Sequence, residues 1–222
     1  MWPYDASRLL TPSMIASDSY RLSAVGYRLV VVFSGHLTDD PNRPQPRFPQ
    51  ELETAARQAL NDVLDRWGIG PDDLGICGGA RGGDILFAEL CVERGVQVLL
   101  SVALPYERFV ETSVRLDGTD WEARYLSLIA QPFVTTEYAA WPADGDPDEA
   151  FTAANRRMIE LAREAAGSDG FRALVLWDEY PGRPRPGGTS HFVQLVDGLA
   201  QEIAIVNPCR LRGRTTTPDV SG

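Results

Sequence analysis

Three apolar stretches that lack any alternation of polar and apolar residues constrain the fold of this chain most strongly. They span residues 27–33, 96–104 and 171–177. Shorter runs of the same kind lie at 74–77, 133–135 and 203–206. Such strands are buried on both faces, as in parallel sheets covered by helices on either side. Helix-like stretches of ten or more residues separate most of them, which parallel crossovers require.

The pattern therefore predicts an α/β fold, a doubly wound and mostly parallel sheet of Rossmann-like architecture with helices on both faces. One domain is expected over residues 27–208, preceded by an N-terminal arm (1–26) and followed by a flexible C-terminal tail (209–222). Ligands of such sheets bind at the carboxyl ends of the strands, beside the point where the strand order reverses. The unusual residues of this sequence gather at those predicted ends.

Composition excludes several classes of function. The net charge of −10 makes a nucleic-acid partner unlikely, because a phosphate backbone demands clustered Lys and Arg. Three cysteines without a CxxC pair fit a reduced protein with neither disulfides nor a zinc site. No apolar run approaches the roughly 20 residues that span a bilayer, and no signal-peptide pattern is present. We expect a cytoplasmic protein with no membrane partner.

A glycine-rich turn joins the strand at 74–77 to the helix expected from residue 84. Four glycines in six residues require a sharp turn or a close approach of the backbone. The helix that follows offers unpaired N–H groups and the positive end of its dipole to a phosphate. A turn needed only for packing is the alternative. The candidate ligand-binding residues here are Gly78, Gly79, Ala80, Gly82, Gly83 and Asp84.

Two further strand ends carry the same kind of signal. Gly187, Gly188 and Thr189 precede the last helix, and Ser34, Gly35 and His36 follow the first strand. Three such ends in one sheet favour a small nucleotide-like ligand over turn chemistry alone. The turn at 78–83 lacks the Gly-Lys-Ser/Thr ending of a Walker loop and does not match a dinucleotide fingerprint. His36 is either a base or a hydrogen-bonding turn residue.

Other candidates leave two interpretations open. Arg156 lies off the apolar stripe of the helix at 148–166, as a surface arginine or as a phosphate ligand, and Asn155 beside it could contact a base or ribose. Arg43 and Arg47 carry the same ambiguity, although the proline-rich loop around them favours a fixed position for Arg47.

Catalysis would need a carboxylate beside the presumed ribose, and four residues are candidates. They are Asp84, Glu89, Glu137 and Asp178. Asp84 could instead cap a helix, and Asp178 could instead begin a turn. No nucleophile–base pair and no set of metal ligands is recognisable, so no metal is expected.

Six short motifs, in order along residues 27–208, resemble the SLOG superfamily, which joins DNA-processing protein A to the LONELY GUY phosphoribohydrolases. They are FSGH at 33–36, RPQPRFP at 43–49, GGARGGDILFAE at 78–89, FTAANR at 151–156, LWD at 176–178 and GGT at 187–189. The likeness is greatest to SLOG-like domains beside tetratricopeptide or cyclase modules in bacterial signalling proteins. It implies a LONELY GUY/lysine-decarboxylase-like fold whose strand ends hold a nucleotide-derived ligand.

One departure bears on activity. The phosphoribohydrolases show Pro-Gly-Gly-x-Gly-Thr-x-x-Glu at the last turn, whereas here Phe192 stands where the catalytic glutamate would fall. An apolar ring cannot stabilise an oxocarbenium charge or activate water, which favours a ligand sensor over an enzyme. The ligand class implied is a nucleoside monophosphate or an NAD or ADP-ribose type of molecule. Two alternatives stay open: an N-glycosidic hydrolase or transferase that uses Glu137, Asp84 or Asp178, and a homo-oligomeric assembly module acting through the N-terminal arm.

Overall fold

A computed structural model describes residues 26–140, 142, 145–180 and 186–212. The predicted N-terminal arm therefore lies outside the described residues apart from Gly26, as do residues 213–222 of the predicted tail. The ordered chain continues past the predicted boundary at 208. A 3₁₀ turn, Pro208–Leu211, follows the last strand, and Leu211 is buried against the core.

The described residues form a six-stranded sheet in which every neighbouring pair is parallel, as the apolar runs predicted. Its strands are β1 Val30–Gly35, β2 Leu74–Cys77, β3 Gln97–Val102, β4 Val134–Tyr138, β5 Arg172–Leu176 and β6 Glu202–Val206. Their order across the sheet is β4-β3-β2-β1-β5-β6. The order reverses between β1 and β5, which pair from Val31 opposite Arg172 to Gly35 opposite Leu176. This reversal places the switch point at the centre of the sheet.

Helices cover both faces of the sheet. They are α1 Glu53–Trp67, α2 Gly83–Glu93, α3 Tyr106–Phe109, α4 Trp121–Ile129, α5 Pro147–Ala166 and α6 Thr189–Val196. Helices α5 and α6 pack on one face, and α1, α2 and α4 pack on the other. Asp146 caps α5 by accepting a hydrogen bond from the N–H of Asp148, and Pro147 occupies its first turn.

Alternate residues of the central strand feed two separate cores. Val31 and Phe33 of β1 point to the core on the α1–α2 face, while Val30 and Val32 point to the core beneath α5 and α6. Phe33 stacks in parallel on Phe87 of α2, with ring centroids 4.7 Å apart. Because both faces of β1 are buried, its run of valines shows no polar alternation.

Some boundaries differ from the sequence prediction. The first strand begins at Val30 rather than at residue 27. Before it, the N–H of Arg28 donates to the carbonyl of Asp72, and Tyr27 donates its hydroxyl to the side chain of Gln97. The helix that begins at Tyr106 is α-helical only over α3, because it widens into a π-helical turn over Val110–Val114. That widening brings a serine carbonyl to the glycine turn, as described below.

Candidate functional site

A cleft of about 430 Å³ opens at the carboxyl ends of β1, β2 and β5, at the switch point of the sheet. A volume of this size suits a small organic ligand. Its walls come from all three strand ends, from the π-helical turn, from α5 and from the start of α6. Of the predicted site residues, the lining includes Ser34, Gly35, His36, Arg47, Gly78, Ala80, Asp84, Asn155, Asp178, Gly187, Gly188 and Thr189.

The end of β1 packs directly on the start of α2. A Cβ atom added at Gly35 would lie 2.8 Å from the Cα of Gly83, so neither position has room for a side chain. The N–H of Gly83 donates to the carbonyl of His36 at 3.0 Å. These contacts give the two glycines a packing role, and they bring the first strand end within reach of the glycine turn.

His36 joins β1 to β5 across the reversal of strand order. Its N–H donates to the carbonyl of Leu176, and its Nε2 lies 3.0 Å from Oδ1 and 3.1 Å from the backbone nitrogen of Asp178. One ring nitrogen cannot donate and accept at once, and a proton on Nε2 satisfies the carboxylate, which is the stronger partner. Burial lowers the pKa of His36, and the hydrogen bond to Asp178 only partly offsets this effect.

The contact with His36 also affects the pKa of the Asp178 carboxyl. Burial by itself would raise the pKa of the Asp178 carboxyl, but the hydrogen bond from His36 and the nearby charge of Arg47 hold it below its ordinary value. Asp178 therefore carries a negative charge at neutral pH, next to a neutral imidazole. The pair forms one wall of the cleft.

The glycine turn surrounds the carboxyl group of Asp84. The N–H of Gly35 donates to Oδ1 at 3.1 Å, and the N–H of Ala80 donates to Oδ2 at 3.2 Å. Burial raises the pKa of Asp84 to about 7, although the N–H groups of Ala80, Gly35, Gly78 and Gly79 act to lower it. Asp84 thus links the glycine turn to the end of β1, and it lies 49 residues from Gly35 in the chain.

Two glycines of the turn, Gly79 and Gly82, have a positive φ, which other residues rarely adopt. Gly82 has a φ of +89°, and a Cβ there would lie 2.5 Å from the backbone nitrogen of Thr38. The N–H of Arg81 donates at 2.9 Å to the carbonyl of Ser113, which the π-helical turn supplies. Gly79, Gly82 and Gly83 contact neighbouring segments and do not line the cleft. Their predicted binding role stays a prediction.

Asn155 holds the second glycine turn in place. Its side-chain nitrogen donates to the carbonyls of Gly187 at 3.1 Å and Gly188 at 3.4 Å, and it lies 3.3 Å from Nδ1 of His191. Gly187 has a φ of +73°, and a Cβ there would lie only 2.3 Å from the Cβ of Phe151. The predicted contact of Asn155 with a base or ribose stays a prediction, since its amide nitrogen is used to position this turn.

Arg156, Glu137 and Glu89 also lie away from the lining. Arg156 is exposed beside His191, whose pKa it lowers together with burial, the larger cause. Glu137 lies on β4, where its Oε1 accepts a hydrogen bond from Ser101 and lies 3.4 Å from Nε of Arg157. Glu89 is paired with Arg124 at 2.7 Å on the opposite face of the sheet. Of the candidate carboxylates, only Asp84 and Asp178 line the cleft.

Sequence reasoning missed the apolar wall of the cleft. Phe109, Phe151, Met158 and Trp177 line it, together with Asp148 at the start of α5. The regular apolar stripe of α5 contains both Phe151 and Met158, but periodicity cannot distinguish a side chain that faces a cleft from one that faces the core. Within the described ranges, no group of three or more His, Cys, Asp or Glu side chains could hold a metal ion. None of the helices described there is long and apolar enough to cross a bilayer.

The sheet and its cleft define a Rossmann-like α/β protein with a ligand-sized site at its switch point. No protein-family model and no curated protein matches the chain. Among solved structures it is similar to DNA processing protein A from Streptococcus pneumoniae, at 12% identity and a TM-score of 0.38, over 87% of this chain and 63% of that one. It is also similar to the structural genomics target TM1055, at 16% identity and a TM-score of 0.36, over 80% of this chain and 90% of that one.

DNA processing protein A is one of the proteins that the motif resemblance named. The sheet itself places the chain in the Rossmann-like fold class that the motif resemblance implied, independently of these two likenesses. The chain spans less than two thirds of that protein, and both likenesses concern the fold alone.

Proposed function

We propose that this protein binds a small nucleotide-derived ligand in the cleft between β1 and β5. The observation that carries the proposal is the convergence of three strand ends and one helix start on a single cleft of about 430 Å³. Open parallel sheets bind ligands outside the carboxyl ends of their strands, where the strand order reverses. The cleft lies at that position in this sheet.

The start of α6 supplies the end of the cleft that favours an anion. Gly188, Thr189 and Ser190 line the cleft, and the first N–H groups of a helix have no partner within that helix. Asn155 fixes the turn before α6 by donating to the carbonyls of Gly187 and Gly188. Arg47 lines the same cleft and adds a positive charge. A phosphate group fits this combination of donors.

The apolar wall of the cleft would contact the base of a nucleotide. Phe151 and Trp177 offer aromatic surface, and Met158 offers a polarizable thioether. Bases stack on such side chains with little dependence on sequence, at about 1–3 kcal/mol for each base. A molecule with an aromatic base at one end and an anionic group at the other therefore suits the cleft.

An N-glycosidic hydrolase or transferase is the second candidate. Asp84 and Asp178 both line the cleft, and burial raises the pKa of Asp84 to about 7, a value that suits an acid or base at neutral pH. Against catalysis, Phe192 is fully buried in the core beneath α6, at the position where the related hydrolases would carry a glutamate. Ligand binding without turnover is therefore the function that we prefer.

The test is a thermal-shift screen of AMP, cyclic nucleotides, NAD and ADP-ribose, with the products analysed by chromatography. A ligand at about 100 times its dissociation constant adds roughly 2.7 kcal/mol of stability. Stabilisation with intact ligand supports binding, whereas release of a free base makes the protein an N-glycosidase. No stabilisation by any of these compounds would contradict the proposal.

Two variants of α6 locate the site. Ser190→Glu introduces a carboxylate at the helix start that lines the cleft, and it should abolish the shift given by an anionic ligand. Gln194→Glu adds the same charge one turn later at an exposed position, and it should preserve the shift. Arg156→Ala tests the remaining prediction for that arginine: loss of affinity would show that its exposed guanidinium contacts the ligand.

A further inference from the structure

Asp84 is bound by the glycine turn in the way that an anionic ligand would be. One carboxyl oxygen accepts the N–H of Gly35 and the other accepts the N–H of Ala80, at 3.1 and 3.2 Å. The N–H groups of Gly78 and Gly79 also act to lower the pKa of this carboxyl group. Successive backbone N–H groups directed at one point form an anion-binding concavity. In this protein the concavity is filled from within the chain.

The surrounding backbone is shaped to this side chain. A Cβ atom at Gly78 would lie 2.9 Å from Oδ2 of Asp84, so the turn needs a glycine there to admit the carboxyl group. Asp84 also lies in the first turn of α2, where a carboxylate is favoured by the helix dipole. The N–H donors that the sequence offered to a phosphate are therefore already used, and the carboxyl group of Asp84 occupies the space between them.

We propose that Asp84 is a specificity-determining residue, whose carboxyl group closes the glycine turn to the anionic groups of ligands. Among the described residues that line the cleft, the start of α6 is then the place left for a phosphate, and the cleft favours ligands with a single phosphate over ligands with two bridged phosphates. The preference among nucleotides rests on the proposed function. The closure of the turn does not rest on the proposed function, because it should exclude any anion of suitable size.

The first test uses sulfate, which keeps its double charge throughout the neutral range, with dissociation constants measured by calorimetry at constant ionic strength. Asp84→Ser empties the turn of its carboxyl group and leaves the N–H donors free. Since hydrogen bonds to charged groups contribute roughly 1.5–3 kcal/mol, sulfate should bind this variant at least about tenfold more tightly than the wild type. Asp148→Asn removes a charge from the same cleft without opening the turn, and its gain should stay within about threefold by general electrostatics.

A folded Asp84→Ser variant with the sulfate affinity of the wild type would overturn the proposal, and so would an equal gain in Asp148→Asn. The second test needs no variant: AMP, ADP and ADP-ribose are compared on the wild type. The second phosphate should add less than about a threefold gain in affinity, because the N–H donors of the glycine turn are already bonded to Asp84. A gain of tenfold or more would refute the closed turn even if Asp84→Ser does not fold.

The two tests separate the proposals. If sulfate behaves as expected but no nucleotide binds, the proposed function fails and the closed turn stands. If nucleotides bind and a second phosphate strengthens binding markedly, the proposed function stands and the closed turn fails. If sulfate binds neither the wild type nor a folded Asp84→Ser variant, the turn is not an anion site and the inference is wrong.

Discussion

The buried carboxyl group of Asp84 should make the stability of this protein depend on pH, and its neutral isostere should remove that dependence. Burial raises its pKa from the ordinary 3.8 to about 7, against the lowering effect of four backbone N–H groups. Between those two values the folded state binds more protons than the unfolded state. The stabilising contribution of Asp84 is therefore fully present below about pH 3.8 and is lost as the pH rises through about 7.

The size of the effect follows from linkage. Each unit between the two pKa values is equivalent to about 1.4 kcal/mol, and between about pH 5.5 and 8 the loss for this one group comes to about 2 kcal/mol. A domain has a total stability of roughly 5–15 kcal/mol, so the change is large enough to measure by urea unfolding. Asp84→Asn should gain about 2 kcal/mol relative to the wild type across this range.

The comparison of the two proteins isolates Asp84 from other titrating groups. Burial lowers the pKa of His36 and of His191, so these groups make stability rise with pH over part of the same range. Both proteins share that effect, and it cancels in their difference. Asp148→Asn serves as the control for removing a negative charge from the cleft, and its difference from the wild type should stay constant.

Two results would refute the reasoning about Asp84. The difference between Asp84→Asn and the wild type could stay constant within about 0.5 kcal/mol, which would mean that Asp84 does not titrate in this range. It could instead shift in favour of the wild type as the pH rises between about 3 and 5. The N–H donors would then outweigh burial, and Asp84 would be fully ionised at neutral pH.

Three further substitutions test the packing around the cleft, each by urea unfolding. Gly187→Ala should cost at least about 2 kcal/mol, because its φ of +73° and a Cβ contact of 2.3 Å with Phe151 leave no room for a methyl group; a cost below about 0.5 kcal/mol would show that the turn moves freely. Asn155→Ala should cost roughly 1–3 kcal/mol and weaken ligand binding, since it frees the turn before α6, and unchanged binding would argue against the site. Phe33→Ala should cost about 3–5 kcal/mol by removing the ring stacked on Phe87, and a loss below about 1 kcal/mol would contradict the packing of this core.

The fold class was predictable because its signals are local in the chain. A strand buried on both faces must be apolar along its whole length, and β1, with its run of valines from Val30, satisfies that rule. Strand β2 lies at 74–77 as predicted, because the glycine turn that ends it is visible in the sequence. The sequence alone therefore predicts that Gly35, Gly78 and Asp178 lie together at the carboxyl ends of the strands, where all three line the cleft.

Pairing between side chains was not predictable, because it depends on which strands become neighbours. From the sequence, Asp84 could be a helix cap, a ligand-binding residue or a catalytic carboxylate. Only the approach of β1 to α2 gives it the N–H of Gly35 as a donor. Glu137 and Asp178 look equivalent as carboxylates at strand ends. The order of the sheet places Asp178 beside the switch point and places Glu137 on the edge strand β4, bonded to Ser101.

The sequence by itself determined that this chain forms a parallel sheet with glycine-rich turns at the ends of several strands. Both features depend on consecutive residues, since apolar runs mark buried strands and glycines mark the turns. Only the tertiary structure decided which polar groups at those strand ends form hydrogen bonds with one another. The contact of His36 with Asp178 spans 142 residues, and that of Asn155 with Gly187 spans 32. Such contacts follow from strand order and helix docking, which bring together groups that no local pattern can pair.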